Sequence, residues 1–555
     1  MHKILKKTIK YTACGIGVLL LAIILFVSIL YFSADMLTPD YTPKANGELV
    51  QTDSLREYAG NYLRQSNSGL WELKVSGDAF QRGEAIGKLS SDLLYYQEKV
   101  FVDQIREIVP SDNYLKFLRY FIVLFNRNLG KNVPEEFRDE IYGISLSCTH
   151  EYDFIGTPYE RQLNYHSAHD LGHAMQDYML VGCSSFATWG ENSADSSLII
   201  GRNFDFYMGD KFAHNKLVSF YQPEQGYKFA SVGWPGMIGV LSGMNETGLT
   251  VTINAAKSDM PTASATPISI LTREILQYAS TIDEAYAIAL IRKTFVSESI
   301  LIGSAQDGRA AIIEKSPEKT ALFTSSGNQI ICTNHYQSDT FRNDERNKEN
   351  IATSDSPYRF ARLQELLKEN KPIDPMKAAS ILRNQKGLDN IDLGMGNEMA
   401  INQLIAHHSV IFLPEKQIMY VSTSPWQCGK YMAYDLNKIF SDTIDFHHEI
   451  ATLNLTIPED NFIRQANYKQ FMAYKQLTKL IREKIQRKET IETKVLNLYE
   501  VSNPSFYYVY EILGDYYAAI QQTDTAITYW QKALTMPIPK QAEKVRIQQK
   551  INKKQ

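Results

Sequence analysis

The hexapeptide VGCSSF (181–186) sets a thiol between a glycine and two hydroxyl residues inside an apolar run. Three chemistries are compatible with Cys183. It can be a small buried hydrophobe at a strand edge, as many lone cysteines are. It can be a thiol nucleophile served by a remote histidine base, although the local signature of that protease arrangement is missing. Or it can be an amino-terminal nucleophile, released by cutting the Gly182–Cys183 bond. In that last case its own α-amine, ordinarily with a pKa of about 7.7–8.0, is the base beside the thiol, and no histidine is needed. Gly182 has no side chain to obstruct attack on its carbonyl by the Cys183 thiol. An N-to-S acyl shift followed by hydrolysis then exposes the terminus, which makes the chain a zymogen and the residues before 183 a pro-segment.

Such a terminus needs groups that orient the amine, steady the thiolate and receive an oxyanion. Arg202 and Asp205 in GRNFDF (201–206) supply a guanidinium and a carboxylate. Asn254 in TINAA and Asn334 in CTNHY each follow an apolar run, where an uncharged amide can serve an oxyanion. A strand-end asparagine is also a common turn former, and Asn245 in MNETG is read as a hairpin residue. A rival constellation is HSAHDLGHAMQ (166–176), with His166, His169, Asp170 and His173. Its spacing is not HExxH and its central glycine weakens a helix, so no metal site is expected. A polar helix end near the junction is the preferred reading there. The tandem pairs His407-His408 and His447-His448 lack ligand spacing.

These residues need a frame to hold them. Ser197–Phe206 reads as a strand returning antiparallel to CSSFATWGE across the polar turn 191–196, which brings Arg202 and Asp205 to the start of the first strand. From Trp71 to about Met179 apolar residues recur three and four apart, a helical pattern. After residue 180 short β-type runs bounded by turn residues dominate, with helices such as 268–293 and 356–370 interleaved. That order predicts an α+β protein with helix-covered sheets. Residues 36–69 are polar and Pro-containing and read as a tether. Beyond 455 strand signals cease, and 506–539 carries Tyr510, Leu513, Gly514, Tyr517, Ala526, Trp530 and Ala533 at tetratricopeptide offsets. A protein partner at this helical unit is one expectation, and a structural appendage is the preferred one.

VGCSSF, GRNFDF, GMNETGLTVTINA, TNHY and SPYRFARL occur in this order, and together they resemble the isopenicillin N acyltransferase-like branch of the amino-terminal nucleophile hydrolases, relatives of the choloylglycine hydrolases. The upstream GDAFQRGEAIGKL (77–89) is similar to the start of that family's pro-segment. The resemblance covers roughly residues 70–430. It implies a four-layer αββα sandwich, self-cleavage between Gly182 and Cys183, and cleavage or transfer at a linear amide bond through a thioester on Cys183. It further implies that Arg202 and Asp205 position the terminus, that Asn254 and Asn334 face the oxyanion, and that Arg359 lies near the nucleophile, with Arg362 as its neighbour in the motif. The expected boundaries are a pro-segment over 70–182, a catalytic domain over 183–455 and an all-α extension over 456–555. The expected substrate is a small N-acyl amide or acyl donor, with no cofactor. The alternatives are a phospholipase B-like acyl-ester hydrolase and a non-enzymatic, membrane-tethered interaction protein.

Length and composition bound the remaining classes. The chain has 555 residues, room for several domains, and a net charge of −4 that gives no electrostatic case for nucleic acid. Five cysteines are too few for a disulfide scaffold. Lys3, Lys6, Lys7 and Lys10 precede an uncharged run over 11–34, which predicts a single-pass anchor within 1–35. The N-terminus is then cytoplasmic and the catalytic domain extracytoplasmic, in a bacterial periplasm. A cleaved signal peptide is the alternative.

Overall fold

The apolar runs between residues 180 and 435 become strands, and the reason lies in their burial. The strand carrying GRNFDF is buried on both faces over nine consecutive positions, which a central strand requires and an edge strand would not tolerate. The protein is described by a computed structural model over residues 2–554, apart from 33, 35, 42–46, 53, 109–110, 175–179, 260, 262 and 442.

Four strands precede the hairpin: β1 (Val50–Gln51), β2 (Leu55–Tyr58), β3 (Asn61–Gln65) and β4 (Trp71–Gly77). The hairpin itself is β5 (Leu180–Gly190) and β6 (Ser196–Tyr207). There follow β7 (Leu217–Pro223), β8 (Phe229–Gly233), β9 (Ser242–Asn245), β10 (Leu249–Ala255), β11 (Glu298–Ser304), β12 (Arg309–Lys315), β13 (Thr320–Thr324) and β14 (Gln329–Cys332). The last are β15 (His408–Leu413), β16 (Ile418–Ser422) and β17 (Tyr431–Asp435). Among the described residues they form an eleven-stranded sheet, β1-β2-β3-β4-β7-β8-β9-β10-β11-β12-β13, and a six-stranded one, β14-β5-β6-β15-β16-β17. Neighbours are antiparallel except β4 with β7.

Three apolar interfaces stack these sheets into four layers. Leu198, Ile200, Val410 and Phe412 of the smaller sheet meet Phe220, Ala230 and Ile312 of the larger one. The outer face of the larger sheet, through Leu73, Val75 and Val251, is covered by helices Ala79–Leu89, Glu135–Ser145 and Ile268–Tyr278. On the far side Phe186, Ile199 and Ile411 pack against helices Ser356–Asn370 and Pro375–Leu382. This is the αββα sandwich with antiparallel sheets that an α+β protein of this design requires.

Two readings change. Residues 50–77 form strands where a tether and the opening of a helical segment are predicted. The short runs LREY, NYLRQ and WELKVSG bury alternate residues such as Leu63, Leu73 and Val75, and β4 pairs in parallel with β7 along its whole length. The predicted transmembrane anchor over 11–34 is also corrected, because among the described residues no helix is long and apolar enough to cross a membrane. A helix runs His2–Phe32, but its first turns carry the lysines. The extracytoplasmic placement that rested on the anchor falls with it.

The C-terminal helices Ala466–Arg487, Thr493–Ser502, Tyr507–Ala519, Thr523–Leu534 and Gln541–Asn552 enclose their own apolar core. Trp530 lies flat on Gly514, where any Cβ would overlap the indole. This all-α body is seated on the loop before β15: Asn503 Nδ2 donates to Met395 O, Asn397 Nδ2 to Pro537 O, and Lys540 pairs with Glu398.

Candidate active site

The hairpin puts the junction at the start of β5, opposite the end of β6. Its register pairs Gly182 with Asp205, Cys183 with Phe204 and Ser185 with Arg202. Because side chains alternate along a strand, Cys183, Ser185 and Arg202 face the larger sheet, whereas Gly182, Ser184 and Asp205 face the helices. The backbone of Cys183 is threaded between two polar clusters.

On the first face Arg202 Nη2 donates to Cys183 Sγ at 3.7 Å and to the carbonyl of Ile253. Its Nη1 donates to Ser242 Oγ and to His408 Nε2 at 3.3 Å. The guanidinium carbon also sits 4.3 Å above the Phe204 ring. Since His408 Nε2 accepts from Arg202, its proton is on Nδ1, which faces His407 Nδ1 at 2.9 Å. Burial keeps both rings neutral, His407 with a pKa near about 3 and His408 well below the ordinary value. Burial likewise pushes the Cys183 thiol up. Arg202 and Arg359 oppose that shift, and Asp205 and Glu298 add to it. In the intact chain Cys183 is a thiol, and a base is needed to make it a nucleophile.

On the second face Asn334 Oδ1 accepts the Cys183 N–H at 3.0 Å and Arg359 Nη2 at 2.7 Å. Arg359 Nη1 donates to Cys183 O at 2.6 Å and Ser184 Oγ at 3.1 Å, and its Nε is tied to Asp355 at 2.8 Å. Asn334 is itself held: its N–H donates to Ser356 Oγ, its Nδ2 to Ala255 O, and its carbonyl accepts from Asn350. Asp205 is fully buried with no hydrogen-bond partner on either carboxylate oxygen, and desolvation raises its pKa to about 8. An unpaired buried carboxyl is expensive, so its position opposite the junction calls for an explanation.

The geometry therefore gathers Gly182, Cys183, Arg202, Asp205, Asn334 and Arg359 within one shell. It separates the two arginines of SPYRFARL, since Arg362 turns to Glu365, Asn384 and Asn390. Asn254 sits one residue pair away. Its Oδ1 accepts from Ser185 Oγ at 2.8 Å and its Nδ2 donates to Cys332 O at 3.0 Å. Asn245 closes its turn through Thr247 and Leu249, as a hairpin asparagine does. The histidine-rich helix contributes structure. His166 accepts from the Ile238 N–H, bonds the Gln162 carbonyl through Nδ1, and is held neutral by burial at about 4. The side chains of His169 and His173 lie outside the described residues. Among the described residues no three metal-ligating groups converge.

Several residues at the site carry no sequence signal. Ser242 and His408 reach Arg202 only because β15 starts beside β6 and β9, in the larger sheet, starts across from it. Gln403, 2% exposed, has an unpartnered Nε2 that lies 2.7 Å from where a Cβ on Gly182 would stand.

Residues 190–403 match the family model for acyl-coenzyme A:6-aminopenicillanic acid acyl-transferase. The match starts just after Cys183, covers less than half of the chain, and takes in Arg202, Asp205, Asn254, Asn334 and Arg359. An uncharacterized protein of Archaeoglobus fulgidus is 25% identical over 278 residues, 47% of this chain and 46% of that protein. Protein dcd1B of Dictyostelium discoideum is 23% identical over 271 residues, 45% of this chain and 51% of that protein. The chain spans about half the length of the curated relatives it matches. Among solved structures, the Caenorhabditis elegans ortholog of N-acylethanolamine-hydrolyzing acid amidase aligns with a TM-score of 0.31 at 14% identity, over 42% of this chain and 93% of that one. A mutant of the conjugated bile acid hydrolase from Clostridium perfringens aligns at 0.30 and 14%, over 46% and 93%. Likenesses of that size decide nothing about the site. The class defined here is an αββα-layered protein with a buried cysteine near a strand start, in which residues 190–403 match the model of an acyl-transferase family.

Proposed function

We propose that the chain is a cysteine amino-terminal nucleophile enzyme that cuts its own Gly182–Cys183 bond and then cleaves, or transfers, the acyl group of a linear amide. The observation that carries the reading is the grip on Cys183. Its thiol, amide nitrogen and carbonyl are each held by a different buried side chain, Arg202, Asn334 and Arg359, opposite an unpartnered Asp205. A structural cysteine needs none of these.

In self-cleavage the Cys183 sulfur bonds to the Gly182 carbonyl carbon, the C–N bond breaks, and the nitrogen leaves as an amine after taking a proton, while the proton lost by the thiol replaces it on the donor. Asp205, still protonated near neutrality because of its raised pKa, is the proposed donor of that proton. Water then hydrolyses the thioester, releasing Gly182 as a carboxylate and freeing the thiol. The new α-amine next to Asp205 gives the carboxyl group the hydrogen-bond partner that the intact chain lacks. In turnover the free amine takes the thiol proton, the thiolate attacks the substrate carbonyl, and the amine returns the proton to the leaving nitrogen. Asn254 has a second amide hydrogen available for the oxyanion, and Arg202 stabilises the thiolate. Thiol, amine and water suffice for this chemistry.

The test is direct. Purified wild-type chain should run as two fragments meeting at 182/183, and Cys183→Ala as one intact band without amidase activity. A wild-type chain that stays whole and whose blocked thiol changes no activity sinks the reading. Mass spectrometry of products from N-acyl amino acids, peptides and lysolipids would separate hydrolysis from transfer, and amide from ester cleavage.

A further inference from the structure

We propose that the position beside Gln403 selects acyl groups with a hydroxyl on the α-carbon, in the R configuration. This rests on the proposed self-cleavage, because the junction is then the first acyl donor that the nucleophile meets. The Gly182 carbonyl marks where a substrate carbonyl sits, and Gly182 Cα marks the acyl α-carbon.

Gln403 Nε2 approaches that α-carbon from one side only. It is 2.7 Å from the L-side-chain position of Gly182, and Oε1 of the same amide is 3.3 Å from it. A carbon at 2.7 Å is too close and forces the amide aside, whereas an oxygen at that distance makes a hydrogen bond. Gln403 is 2% exposed and its Nε2 has no partner. A buried N–H₂ without an acceptor is a standing cost that a substrate oxygen would relieve. A hydroxyl both accepts and donates, so it satisfies the amide whichever edge faces it. The rest of the acyl chain follows the path of the Gly182 nitrogen, back along β5. Placing oxygen at the side-chain position and the chain at the nitrogen position exchanges the two relative to an L-amino acid, which defines the R enantiomer.

The experiment uses the matured full-length protein and 4-nitroanilides of dodecanoic, (R)-2-hydroxydodecanoic and (S)-2-hydroxydodecanoic acids. The R compound should exceed both others in kcat/KM by roughly 10-fold or more, the size expected when a buried donor finds or lacks its partner. In Gln403→Leu, or in Gln403→Met if the first variant is unstable, the three should converge to within about twofold. Equal rates for the R and S compounds in the wild type overturn the proposal without any variant, as does an R preference that survives in either variant. Cleavage of the chain with enantiomer-blind turnover leaves the amidase reading standing and removes this one. A chain that neither cuts itself nor turns over any anilide removes both.

Discussion

Asp205 carries the most informative charge in the molecule. Its ordinary pKa is near 3.8, and burial without a partner raises it to about 8 in the intact chain. Between those values the unfolded chain has lost the proton and the folded one retains it, so folding takes up a proton and stability falls as pH rises from about 4 to about 8. Other buried acids, Glu72 among them, share that slope, so the contribution of Asp205 is read as a difference. In a Cys183→Ala background, which holds the junction intact, Asp205→Asn should gain stability relative to its parent on moving from pH 4 to pH 8. Urea denaturation across that range checks this, and a constant difference would refute the unpaired carboxyl. The two-faced site has its origin at this scale too: residues 202 and 205 differ by an odd number and therefore face opposite sides of β6.

At the level of elements, the glycine of GDAFQRGEAIGKL that the packing demands is Gly83. Helices Ala79–Leu89 and Glu135–Ser145 cross at Gly83 and Gly143, with backbones so close that a Cβ on Gly83 would overlap the Glu140 carbonyl. Gly83→Ala must separate the helices and should cost about 1–3 kcal/mol in a chemical denaturation of the full chain. At the same crossing Glu140, fully buried, receives Arg82 at 2.8 Å and Arg273 of helix Ile268–Tyr278 at 3.2 Å. Glu140→Ala takes the carboxylate from buried Arg273 and leaves Arg82 with Glu136 alone, and should cost about 3–5 kcal/mol, more than the glycine change. If both variants denature like the parent chain, the crossing does not bear on stability.

Considered as a whole, the molecule would keep its core through the proposed cleavage. β4 lies before the junction and β7 after it, yet they pair from Trp71↔Leu217 to Gly77↔Pro223 in the middle of the larger sheet. Cutting at 182/183 leaves that ladder and the Arg273–Glu140 pair intact. The two fragments should therefore elute together in native size-exclusion chromatography and separate only in denaturant; elution apart without denaturant would contradict a shared core. The C-terminal helices act at the same scale. They hold the loop of Met395, Asn397 and Glu398 that runs into Gln403, while Lys475 pairs with Asp210 just beyond β6. The all-α body thus holds both the loop that leads to Gln403 and the segment that follows β6.

The sequence by itself determined the local grammar of the protein. Short β-type runs bounded by turn residues marked the strands after residue 180, a polar turn placed the β5–β6 hairpin, and one glycine-cysteine step pointed to the candidate nucleophile. These are legible because each depends on neighbours a few residues apart. Only the tertiary structure decided which strands adjoin, and so which polar atoms meet. Arg359 and Arg362 are equivalent on paper, and helix packing gives one of them the Cys183 carbonyl and the other Glu365. Gln403 has no motif at all. It faces Gly182 because a loop 221 residues further on returns there, held by helices from the end of the chain. Long-range convergence of that kind leaves no periodicity behind, since the chain between the partners is free to have any sequence that folds.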